Sequence, residues 1–145
     1  MLIVSPAAGP SGPEDTLASP LGDPWSVRLA GPESACPALE LYEAGELLDV
    51  ISATTLVRPL LRGGRAVRIA AGPRAIAWGR LPADGIRPRV SFGPRRGRSE
   101  PILAAVMLPA DWCWVAIGDG WFGSVTVRAG DQGRRRRLAR GVRCS

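Results

Sequence analysis

Trp112-Cys113-Trp114-Val115-Ala116-Ile117-Gly118-Asp119-Gly120-Trp121-Phe122-Gly123-Ser124-Val125-Thr126-Val127-Arg128 carries the strongest β signal in the chain. Two short runs of β-branched and aromatic residues flank a glycine-punctuated segment, the pattern of two strands joined by a turn. In the first run Trp112 and Trp114 project from one face of an extended backbone, and Cys113, Val115 and Ile117 from the other. Both faces are apolar, as on a central strand covered on both sides. Asp119-Gly120 tolerates the positive φ angles of a tight hairpin, so a hairpin turn is expected there.

The same grammar extends outward from this stretch. Short strand-like runs occupy 54–61, 66–70, 75–78, 87–92, 102–108 and 124–128, with a final one over 136–142. Turn residues separate them at Gly63-Gly64, Asp84-Gly85 and 130–133. The expected fold is mainly β, an antiparallel two-layer sandwich with at most one short helix. Trp25, Val27 and Leu29 alternate with Ser26 and Arg28, which starts the folded part at Trp25. Residues 25–145 are read as a single domain, and 1–24, rich in Pro, Gly and Ser, as a flexible leader with too little apolar surface to offset the entropy of ordering. The one helix candidate is 38–51: Leu41, Ala44, Leu47, Leu48 and Ile51 share an arc, and Pro37 suits a first helical turn. Gly45 also permits a hairpin that pairs 39–42 with 47–51, and the helix is favoured over it.

Composition narrows the chemistry. The 145 residues contain 19 basic side chains, all arginine, and no histidine or lysine. The commonest proton shuttle at neutral pH and the amine nucleophile are thus absent, which argues against most enzyme mechanisms. The abundance of Arg, Ala, Gly and Pro without lysine or asparagine is the bias expected of a GC-rich genome, which discounts the arginine count. The charge is unevenly placed: 1–49 hold eight acids and one arginine, whereas 50–145 hold five acids and 18 arginines. Such asymmetry steers an acidic partner to the second part of the chain or lets the two parts attract each other. Cys36, Cys113 and Cys144 lie far apart, without C-x-x-C spacing, so no metal and no cofactor is expected. The first residues lack the pattern of a signal peptide, and the longest apolar run, 102–110, is too short to span a bilayer. A cytoplasmic setting with free thiols is the expectation.

Three patterns are candidate sites. Gly118 to Val125 fits the G-x-G-x-x-G-x-V form of a phosphate-covering loop, yet a kinase needs a lysine and metal-binding aspartates downstream, and a dinucleotide loop must open a helix where Ser124 to Arg128 reads as strand. Trp112, Trp114 and Trp121 are either core or an exposed anchor for a partner; core packing is favoured for the paired indoles. The run Arg134, Arg135, Arg136 and Arg137, continued by Arg140, contains no acid and is the strongest electrostatic feature, with Arg95 and Arg96 in a second basic loop. Guanidinium forks match phosphate oxygens or an acidic protein surface. A solvated tail, or arginines that protect an edge strand from pairing, is the plainer alternative. No aromatic residue lies within the run to stack on a base.

Trp78-Gly79-Arg80-Leu81-Pro82, Val90-Ser91-Phe92 and Thr126-Val127-Arg128-Ala129-Gly130-Asp131-Gln132-Gly133 together resemble small hypothetical β-sandwich proteins of high-GC actinobacteria. The resemblance spans about half of the chain. It implies an immunoglobulin-like sandwich and no particular activity. The functional expectation is therefore a small non-catalytic protein-interaction module, an accessory subunit whose arginine-rich surface meets an acidic protein, with nucleic-acid binding through the C-terminal arginines as the alternative. A carboxylate-dependent hydrolase is the third and least supported reading, because no carboxylate pair recurs at suggestive spacing in the β region.

Overall fold

The computed structural model describes residues 19–31, 35–54, 59–94 and 100–141. These form thirteen β-strands and no helix. The chain divides into two compact units, Met1–Ser52 and Ala53–Ser145; the division falls inside the stretch read as one domain.

The first unit is an antiparallel meander of β1 (Ser19–Gly22), β2 (Trp25–Ala30), β3 (Ala38–Glu43) and β4 (Glu46–Ser52). β1 lies within the segment expected to be a leader: Ser19 and Pro20 sit opposite Val27 and Ser26. It is an edge strand, where the missing N–H of Pro20 is tolerated. Residues 38–51 form the hairpin and not the favoured helix. Ala44 and Gly45 take φ angles of 52° and 82°, the conformation a two-residue hairpin loop requires. Pairing Leu39 with Ile51 then buries both, whereas Leu47, placed on the apolar arc of the helix, is 56% exposed. Trp25, Val27, Leu39, Leu41 and Ile51 are all buried. Arg28 and Tyr42 both donate to Glu40 Oε1, at 2.9 and 2.6 Å, and the Trp25 indole N–H donates to Glu43 Oε1 at 3.0 Å. The hydrogen bond to Glu40, then partial burial, raises the Tyr42 hydroxyl above the usual phenol value.

The second unit contains β5 (Gly63–Ile69), β6 (Gly72–Arg80), β7 (Arg89–Pro94), β8 (Ile102–Ala104), β9 (Val106–Ala110), β10 (Cys113–Asp119), β11 (Phe122–Ala129), β12 (Gln132–Arg137) and β13 (Ala139–Arg140). One sheet has the order β13-β5-β6-β10-β9 and the other β12-β11-β7-β8. Every pairing is antiparallel except that of β13 with β5. Ala75, Ala77, Trp114 and Ala116 of the first sheet share a core cluster with Val90, Phe92, Val125 and Val127 of the second, a two-layer β-sandwich. β6 and β10 are buried on both faces, as the apolar reading of 112–117 implied: Ile76, Cys113 and Val115 have no exposed surface, nor do Ala77 and Trp114.

Trp114 shows why small residues surround it. Its indole N–H donates to the Leu60 carbonyl at 2.8 Å, beside Gly79. A Cβ at Gly79 would collide with that carbonyl and with the indole nitrogen, so only glycine fits the strand at this point.

The connections differ from the hairpins expected at two turns. Asp119-Gly120 joins β10 to β11, and Asp84-Gly85 joins β6 to β7; each pair of strands lies in opposite sheets. These turns therefore carry the chain over the ends of the sandwich. Gly120 N–H is held by the Pro73 carbonyl at 3.0 Å, and Asp84 Oδ1 accepts the Ile86 N–H at 3.0 Å. The Gly63-Gly64 pair, read as a turn, opens β5 instead.

Candidate functional site

The arginine run is not a solvated tail through Gly141. Arg134 to Arg137 lie in β12, paired along its length with β11 and forming an edge of its sheet. Leu138 is then buried, with its N–H on the Gly123 carbonyl at 3.0 Å, and Ala139 and Arg140 cross to pair with Arg65 and Ala66 of β5. The single buried leucine and two short ladders thus hold a run of exposed guanidiniums in fixed register.

Register sorts the arginines. Arg134 and Arg136 lie opposite the buried Val127 and Val125, so their side chains leave on the inner side of the sheet edge. Arg136 donates to the Arg62 carbonyl at 2.6 Å, at the margin of the other sheet, and Arg134 to the Gly133 carbonyl at 2.9 Å. Arg135 and Arg137 leave on the outer side, opposite Thr126 and Ser124. Arg128 and Arg89 share that outer face and stand directly opposite each other. Two like charges at cross-strand spacing repel by on the order of 0.5–1 kcal/mol even in water. β7, β8, β11 and β12 contain no acidic residue, and among the described residues no carboxylate pairs with Arg89, Arg128, Arg135 or Arg137. The face holds uncompensated positive charge, with Ser91 and Thr126 between the guanidiniums in the strand register.

Beside this face lies a groove of about 690 Å3, lined by Arg68, Arg74, Arg137 and Arg140 together with Trp121 and the backbone of 120–123. Its size is in the range of small-ligand sites. Trp121 is 60% exposed, and the Arg68 guanidinium stands over its ring at 5.3 Å from the centroid. Arg74 is held by Asp119 at 2.6 Å; among the described residues no carboxylate pairs with Arg68, Arg137 or Arg140. Among the described residues, the groove presents four guanidiniums, with the Asp119 carboxylate beside Arg74.

The expected tryptophan group does not form a surface. Trp114 has no exposed surface, because it fills the space left by the alanines and Gly79; Trp112 is half-buried in the turn before β10; only Trp121 is open. Arg95 and Arg96 lie outside the described residues. Arg137 and Arg140 are brought to one groove with Trp121, although they follow it by 16 and 19 positions in sequence, whereas Arg134, Arg135 and Arg136 do not line it. Arg68, Arg74, Arg89 and Arg128 are additions that the sequence reading does not single out. Arg89 and Arg128 stand at solvent positions of alternating strands, a signal present in the sequence, but their mutual opposition depends on strand register. Arg68 carries no sequence signal toward Trp121.

The phosphate-loop pattern at Gly118 to Val125 opens no helix: it is the end of β10, the inter-sheet connection and the start of β11. Cys113 is buried beside β6, and burial pushes its thiol up to about 11. Cys36 is exposed. The described residues contain no group of three or more acidic, cysteine or histidine side chains placed to hold a metal, and no helix long and apolar enough to cross a membrane. Comparison of the chain with protein-family models, curated proteins and solved structures finds no match.

Proposed function

We propose that this protein is a small non-catalytic binding module whose arginine side takes the phosphate backbone of a nucleic acid, as an accessory component of a larger assembly. The observation that carries the reading is Trp121. On sequence alone the arginine run lacks an aromatic partner; folding sets an exposed indole in the same groove as Arg137 and Arg140. A positive groove with one stacking ring is the arrangement used for nucleic-acid strands. Guanidiniums at cross-strand spacing, with hydroxyls between them, supply phosphate contacts that fix a strand's position without reading its bases.

Docking on an acidic protein surface is the second reading, favoured by Leu103. It is 60% exposed and lies in one outer-face row with Ser91, Thr126 and Arg135, so that face offers an apolar contact next to charge. Around the groove itself Trp121 is the only large apolar side chain among the lining residues that is exposed, too little for the apolar centre of a protein interface.

The two are separated by salt dependence measured on defined polymers. A labelled oligodeoxynucleotide should bind with an affinity that falls linearly on a log–log plot against salt. Replacing Arg128, Arg135 and Arg137 by glutamine should reduce that slope by about 2, roughly 0.7 for each phosphate of a single strand that is no longer neutralised. Failure of any nucleic acid to bind at low salt, with polyglutamate bound instead, would overturn the reading in favour of an acidic protein.

A further inference from the structure

Resting on the phosphate-binding reading above, we propose that the groove around Trp121 is a subsite for one unstacked base, so that the protein selects single strands over duplex. The indole projects from the connection between β10 and β11, at an end of the sandwich and away from the strand-paired rows of the arginine face. Arg68 covers one side of its ring; with 60% of the residue exposed, the other side is open to a planar ligand. Arg68 is therefore already in the position of the lower layer of a stack: guanidinium, indole, base. The cation polarises the indole from below and holds the ring at a fixed angle, which reduces the ordering needed when a base arrives.

Guanidiniums for the flanking phosphates line the same groove. Arg137 and Arg140 line the same groove, on the segment that crosses from one sheet to the other through buried Leu138. Arg74 lines it too, held by Asp119 at 2.6 Å. A base on the open face of Trp121 would have its flanking phosphates among guanidiniums, and Arg137 also belongs to the outer face with Arg135 and Arg128, so the chain can continue along the sheet. A duplex cannot use this arrangement along its length, because its bases are stacked and paired and offer no free π-face to the indole. It would be restricted to the arginine face, which reads charge alone.

The groove also sets what kind of preference to expect. Every base has a π-face, and the described lining residues are arginines, small or apolar residues and Trp121, with no amide or carboxylate side chain among them to read a Watson–Crick edge. Selection by strandedness with little sequence preference follows.

The test is a comparison of an oligothymidylate of about 20 nucleotides with a duplex of equal length, by fluorescence anisotropy at low salt, for the full chain and for the Trp121→Ala, Trp121→Phe and Arg68→Gln variants. The single strand is expected to bind at least about tenfold more tightly than the duplex. Trp121→Ala should cost roughly 5- to 100-fold on the strand and leave the duplex unchanged, Trp121→Phe should keep most of the preference, and Arg68→Gln should fall between them. Circular dichroism of each variant confirms folding, which an exposed indole is not needed to maintain. Equal affinity for strand and duplex, or an alanine variant that weakens both alike or neither, overturns the subsite and leaves phosphate binding standing. Absence of binding to either polymer removes both readings.

Discussion

At the scale of single residues, Trp112, Trp114 and Trp121 illustrate how similar side chains acquire different roles from their surroundings. Trp114 is sealed between alanines and satisfies its one polar group on the Leu60 carbonyl, so its contribution is core area plus a buried hydrogen bond of about 1 kcal/mol net. Trp112, two residues earlier, sits in a turn, and Trp121 stands over an arginine at the surface. Cysteine shows the same dependence. Cys113 lies in the double-covered strand with its thiol raised from 9.0 to about 11, chiefly by desolvation, while Cys36 is exposed. A maleimide at neutral pH should therefore label Cys36 in the native protein and reach Cys113 only after denaturant is added. The pH dependence carries a definite sign. The folded protein holds the Cys113 proton more tightly than the unfolded chain, so this stabilisation is complete below pH 9 and is lost as the pH rises through about 11. Replacing Cys113 by alanine should flatten that part of the alkaline stability curve, as followed by urea unfolding.

At the scale of elements, periodicity identified strands more securely than it identified what the strands connect to. In 38–51 the same leucines satisfy a helical arc and a hairpin. The hairpin forms because Ala44 and Gly45 accept positive φ and because pairing with β2 gives Leu39 and Leu41 a buried face. Asp119-Gly120 has hairpin chemistry but serves a crossover, since β10 is already paired on both edges, with β6 and β9, before β11 begins. The arginine run is the consequential case. β12 is followed by buried Leu138, and the two-residue β13 adds to the edge of β5, with Gly141 N–H on the Ala66 carbonyl at 2.8 Å. A truncation after Arg137 should therefore destabilise the protein, and Leu138→Ala alone should cost about 2–5 kcal/mol in denaturant unfolding. Glutamine substitutions at the exposed arginines should leave stability within about 0.5 kcal/mol. A truncation that left the unfolding midpoint unchanged would return the run to the status of a tail.

At the scale of the whole molecule, charge asymmetry was legible from residue counts, but its usefulness depends on which guanidiniums share a side. The acid-poor second part of the chain places Arg89, Arg128, Arg135 and Arg137 on one sheet face, and Arg68, Arg74 and Arg140 around the adjoining groove, where repulsion among like charges is relieved by a bound polyanion. Binding should accordingly appear as stabilisation. An oligodeoxynucleotide present at about 100 times its Kd should add roughly 2.7 kcal/mol to the unfolding free energy, seen as a rise in Tm at low salt that disappears as salt is added. An unchanged Tm under saturating conditions would show that the polymer does not engage the folded state.

By itself the sequence determined a β-rich chain, the strand faces of 112–117, a strand at 124–128, and the lack of histidine and lysine chemistry, because alternation and composition are local properties that each residue carries with it. Tertiary structure decided the hairpin at 38–51, the burial of Trp114, the closure of the arginine run on β5 and the meeting of Arg68 with Trp121. These depend on register and on crossings between sheets. Residues tens of positions apart become neighbours only when a shared core fixes both strands, and no local pattern records which partner that core will select.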